Sequence, residues 1–112
     1  MAVIPTTVKQ VRGVAIPFQN SAAGDEAPVG GNLALLAWNS SAGALTVTLA
    51  VPGTNELTGA ANPDNVESVA AGEIRMIPLD ARYADAAIGG RVALTYQTPG
   101  STFKVAVISI VG

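Results

Sequence analysis

The 112-residue chain has the length of one domain, and it contains no cysteine and no histidine. Disulfides, thiolate chemistry, Cys- or His-ligated metals and a Ser-His triad are thereby excluded. Hydrophobic residues make up 49% and charged residues 12%, with a net charge of −2, against about 25% charged in an average soluble protein. No basic cluster is present to displace counterions from a phosphate backbone, and no apolar run approaches the ~20 residues of a membrane helix. Neither a nucleic acid nor a membrane is expected as a partner.

Met1-Ala2-Val3-Ile4-Pro5 lacks the charged start and apolar stretch of a signal peptide, so synthesis in the cytoplasm without export is expected. Residues 1–112 read as a single domain, with 1–18 as an N-terminal arm or edge strand. Thr6 to Ile16 carries Val8, Val11, Val14 and Ile16 at uneven spacing, a strand bulged at Gly13. Asn20 to Gly31 reads as a loop of small and turn-forming residues. Leu33 to Asn39 is a short apolar strand, and Ser40 to Gly43 a turn. Leu45 to Val51 alternates, with Leu45, Val47, Leu49 and Val51 inward and Thr46 and Thr48 outward. These two strands are expected to form a β-hairpin.

Pro52 to Asn65 is a polar loop. Val66 to Val69 and Ile74 to Leu79 flank Ala70-Ala71-Gly72 as a second hairpin, with Pro78 confining its last strand to an edge or a strand end. Asp80 to Gly90 is a loop with one helical turn at Ala81 to Ala84. Arg91 to Gln97 puts Val92, Leu94 and Tyr96 on one face. The closing strand, Phe103 to Val111, is apolar on both faces: Phe103, Val105, Val107 and Val111 on one, Ala106, Ile108 and Ile110 on the other. A strand wetted on one side would alternate instead. Val107 is therefore assigned to the core, and Ile108 and Ile110 to a contact with another subunit. The expected fold is all-β, a compact β-sandwich or jelly roll of about seven to eight short, mostly antiparallel strands.

Residues suited to catalysis are sparse. Asp25 and Glu26 adjoin in a Gly- and Pro-flanked loop and read as solvated charges. Asp80 and Asp85 bracket Arg82, but their spacing is not that of a calcium loop; a salt link with Arg82 is expected. Gly30-Gly31 and Gly89-Gly90 lack the context of a phosphate loop. The aromatics are Phe18, Trp38, Tyr83, Tyr96 and Phe103, few for a stacking platform. Tyr96 and Phe103 are expected in the core, Trp38 in the core or an interface, and Tyr83 as an anchor, either of its loop to the sandwich or of a partner to the loop. No catalytic, metal or cofactor residue is assigned, and the chain is not expected to be an enzyme.

The runs Asn32 to Ser41 and Ala44 to Leu49, Val69 to Leu79, Tyr83-Ala84-Asp85 with Gly90 to Tyr96, and Phe103 to Ile108 together resemble small structural proteins of tailed bacteriophages that accompany capsid genes. The resemblance covers residues 32–108. It implies a non-enzymatic decoration (cement) protein on the outside of the phage head, in the virion, bound to the major capsid protein and to itself as a homo-oligomer, a trimer. Such proteins often grip the shell with an N-terminal arm, for which Ala2 to Phe18 is the candidate. Val3, Ile4, Pro5, Trp38, Ile108 and Ile110 are the candidate interface residues. The alternatives are another virion component (a head-tail connector, tail or fibre-base protein) and a carbohydrate-binding β-sandwich.

Overall fold

Short alternating segments punctuated by turns form two facing sheets in the computed structural model, which describes residues 3–8, 15–54, 57 and 59–109. The described strands are β1 (Thr6–Val8), β2 (Gln19–Asn20), β3 (Glu26–Ala27), β4 (Leu33–Asn39), β5 (Leu45–Leu49), β6 (Asn65–Val69), β7 (Ile74–Pro78), β8 (Val92–Tyr96) and β9 (Phe103–Ser109). One sheet runs β1-β9-β4-β7, with β2 also paired to β9; the other runs β3-β8-β5-β6. Every pairing is antiparallel except β1 with β9. The all-β expectation holds.

The core lies between the sheets. Leu35, Ala37, Ile77, Phe103, Val105 and Val107 enter it from one side, and Val47, Leu49, Val69, Val92, Leu94 and Tyr96 from the other. Full burial of each large apolar side chain contributes about 1.5–3 kcal/mol. The Tyr96 and Phe103 rings meet across the layer at 5.6 Å. Val107 and the alternate residues of β9 occupy the core as their spacing predicts.

Both expected hairpins are corners instead. β4 and β5 belong to different sheets, and so do β6 and β7. β8 and β9 divide in the same way, so each tight turn carries the chain across the sandwich, as in a jelly roll. Asn39 makes the first corner. Fully buried at the end of β4, it donates through Nδ2 to the carbonyls of Gly43 (2.8 Å) and Val69 (2.9 Å) and accepts from Ser41 N (2.9 Å) and Ser41 Oγ (2.7 Å). One side chain thus fixes the turn and ties it to β6.

The N-terminal region also departs from expectation. Only Thr6–Val8 is a strand within Thr6 to Ile16; residues 15–18 are irregular, and Gly13 lies outside the described residues. The loop expected at Asn20 to Gly31 contains the end of β2 and all of β3. Val3 bridges Glu26, and Thr6–Val8 adds in parallel to the edge of β9, so residues 3–8 are docked on the sandwich.

Candidate functional site

Strand alternation makes the outer face of the β4–β7–β9 sheet as apolar as a core face. β4 presents Ala34, Leu36 and Trp38 there; β9 presents Lys104, Ala106 and Ile108; β7 presents Ile74, Met76 and Pro78. Lys104 is the one charge in that set. Its ammonium stands 5.5 Å from the centre of the Trp38 ring, a cation–π placement. Phe18, just before β2, meets Trp38 edge to face at 5.4 Å and 62°. β9 separates β2 from β4, so this ring pair spans β9, and Ala34, Leu36 and Ala106 on the same face are buried. Toward β7 the cover ends: Ile74 is 54% and Met76 55% exposed. Exposed apolar residues that adjoin on one face, unlike scattered ones, mark a contact surface.

The candidate interface residues divide. Trp38 is half-buried on this face, and so is Ile108, level with Ala34 and Thr7. Val3 (49% exposed) and Pro5 are exposed elsewhere, along the β3 edge. Ile4 is a correction: it is 1% exposed and belongs to the core, and its N–H donates to the Glu26 carbonyl at 3.0 Å. A side chain enclosed by its own fold has no surface to offer a partner. Ile110 lies outside the described residues. Ile74 and Met76 were not among the candidates, although Ile74-Arg75-Met76-Ile77-Pro78 shows the same apolarity on both faces that singled out the last strand.

Two further sequence expectations are corrected. Asp25 and Glu26 are not solvated: they are 1% and 7% exposed. Asp25 Oδ2 accepts from Tyr96 Oη (2.9 Å) and Ala22 N (3.0 Å), while its Oδ1 is buried with no hydrogen-bond partner. Burial first, and then the bond to Asp25, push the Tyr96 hydroxyl above its ordinary value of 10. Glu26 is held by the Arg91 guanidinium at 2.8 Å.

The remaining polar groups brace the open side of the sandwich. Arg75 on β7 reaches Glu67 on β6 (3.6 Å) and Glu73 (3.3 Å). Hydrogen bonds from Ala70 N and then from Arg75 hold the Glu73 carboxyl below its ordinary value of 4.5. Asn65 Nδ2 donates to Glu67 (2.9 Å) and to the hydroxyl of Tyr83 (2.9 Å), which anchors its loop to the sandwich. An open groove of about 600 Å³ lies beside this chain of contacts. Its carboxylates are engaged internally: Asp80 with Arg82 at 3.0 Å, the expected salt link, and Asp64 with Val51 N at 3.0 Å. Asp80 and Asp85 each cap a 3-10 turn, at Ala81–Tyr83 and Ala86–Ile88. Among the described residues no group of three or more acidic side chains could hold a metal ion.

In comparisons with protein-family models, curated proteins and solved structures, no match was found.

Proposed function

We propose that this chain is a non-enzymatic structural protein of a virus particle: a decoration protein on the outer surface of a tailed-phage head, with the major capsid protein and further copies of itself as partners. The observation that carries the reading is the outer face of the β4–β7–β9 sheet. It is an apolar surface with a partly exposed Trp38–Phe18 pair, a half-buried Ile108 and exposed Ile74 and Met76. Its exposed part, at Ile74 and Met76, leaves water when another molecule covers it. The resemblance in residues 32–108 supplies the phage assignment.

The action in this reading is mechanical. A stable interface buries about 1,600 Å² in total. Laid across a junction between capsid subunits, each copy adds its contact to those that shell rupture must break. Repetition over many equivalent sites multiplies a modest local affinity. A sugar-binding role is less well supported. Phe18 and Trp38 meet at 62°, so they offer no flat pair of rings, and Tyr83, Tyr96 and Phe103 are buried.

Copy number per particle tests the reading. Purified virions carrying this protein are expected to hold hundreds of copies by quantitative gel staining. A dozen or fewer would overturn the decoration role and favour a connector or tail position.

A further inference from the structure

β7 closes one end of its sheet, and among the described residues no strand lies beside its outer edge. The bonding pattern identifies the free groups. Asn39 N donates to Glu73 O (3.0 Å) and Leu79 N to Leu33 O (2.9 Å). Bonded pairs alternate along an antiparallel ladder, so Glu73, Arg75, Ile77 and Leu79 turn their backbone groups toward β4. Ile74, Met76 and Pro78 turn theirs away from it. The same three residues carry the apolar side chains on the outer face. Edge strands are blunted against strand addition by outward charge, by inward-pointing charge or by proline; the outward side chains of β7 carry no charge, and its proline, Pro78, stands at the end of the strand. Arg75 faces inward, tied to Glu67 and Glu73.

We propose that β7 pairs with β7 of a second copy, antiparallel about a two-fold axis at Met76, joining two sheets into one. In this register the Met76 N–H of each copy meets the Met76 carbonyl of the other, and each Ile74 N–H meets the other copy's Pro78 carbonyl. Pro78 offers no N–H in return, so the Ile74 carbonyl at each end of the paired segment stays open to water. Side chains meet apolar on apolar along the outer face, Met76 on Met76 and Ile74 on Pro78. The neighbouring register, Ile74 opposite Met76, sets the two Arg75 side chains against each other, and like charges directly opposite are destabilising. The β6 edge, at the end of the other sheet, offers less. Its own outer face carries Val66 and Ser68, and the neighbouring strands present Thr46, Thr48 and Thr95 there, so Val66 is the one large apolar side chain that pairing would cover. A second copy is favoured over a foreign strand because β7 itself supplies an apolar complement in register with itself. The pairing is two-fold, unlike the trimer that the phage resemblance implies, and it is independent of the capsid reading.

Sedimentation equilibrium of the full chain tests it, with a reversible monomer–dimer equilibrium expected. Met76→Pro removes an outward N–H and spares the β4 ladder, as a proline on a free edge does. It is expected to raise the dimer dissociation constant at least tenfold with an unchanged circular dichroism spectrum. Met76→Lys, which keeps the backbone and places like charges opposite each other, is expected to do the same, and Val66→Pro on the β6 edge to leave the dimer intact. Facing Cβ atoms lie about 4.5–5.5 Å apart, whereas the two Ile74 residues are offset by roughly 13 Å along the strand. In a chain without cysteine, a thiol cross-linker of the shorter span is therefore expected to link Met76→Cys copies and not Ile74→Cys copies. A strict monomer, a trimer, a dimer indifferent to Met76→Lys, or linkage at Ile74 would each overturn the pairing.

Discussion

A carboxylate enclosed in a core raises the cost of folding unless donors hold it, and Asp25 has both its donors on one oxygen, Tyr96 Oη at 2.9 Å and Ala22 N at 3.0 Å. Tyr96→Phe keeps the ring against Phe103 and deletes one of them. The expected loss is about 1–3 kcal/mol in urea unfolding at neutral pH, the cost of a buried polar group deprived of its partner. The same pair sets an alkaline limit. The folded-state value of Tyr96 lies above the ordinary 10, so its stabilising contribution is complete below pH 10. As pH rises past 10 the unfolded chain releases this proton and the folded chain keeps it, and stability falls. Tyr96→Phe should flatten that fall, measured as unfolding free energy between pH 9 and 11. Equal stability and equal slope in the two proteins would show that the pair contributes nothing. None of this is visible locally: Asp25 and Glu26 sit between Gly24 and Pro28 like surface residues. Their partners Tyr96 and Arg91 lie 71 and 65 positions away.

Strand existence is the level at which the residues speak most directly. β5 and β8 follow from side-chain period, β4 and β9 from short apolar runs bounded by turn residues, and Pro78 marks an edge because it cannot donate to a ladder. Sheet membership does not follow. A short turn between two apolar strands fits a hairpin and a corner equally well, and the decision rests on Asn39, a polar residue whose burial depends on the carbonyl of Val69 in the opposite sheet. β2 and β3, two residues each, are too short to have a period. The corner can be tested by Asn39→Asp, which keeps the shape and the acceptor for Ser41 but removes both donors. The Gly43 and Val69 carbonyls then face a carboxylate. The expected cost is at least about 2 kcal/mol, seen as a lower urea midpoint, and Asn39→Asp at wild-type stability would refute the corner's dependence on this residue.

At the scale of the whole molecule, two apolar surfaces are divided by one sheet. β9 separates them residue by residue: Val107 is fully buried between the sheets, while Ile108 stands half-covered on the outer face beside Ala34. An aspartate at each position therefore asks a different question. Val107→Asp places an unpaired carboxylate in the core, where isolation from water costs several kcal/mol. That is a large part of the roughly 5–15 kcal/mol that holds a typical domain together. It should abolish the folded circular dichroism signal. Ile108→Asp can keep its carboxylate hydrated at the margin of the outer face, so the domain should still fold with a smaller loss of stability. If the outer face meets the shell, Ile108→Asp should bind purified capsids at least tenfold more weakly, whereas Val66→Asp, exposed on the opposite sheet, should bind as the parent does. Both variants leave β7 unchanged, so their oligomeric state serves as an internal control for self-pairing. Undiminished capsid binding by folded Ile108→Asp would remove the outer face from the interface and direct the search to the exposed Val3 and Pro5 along the β3 edge.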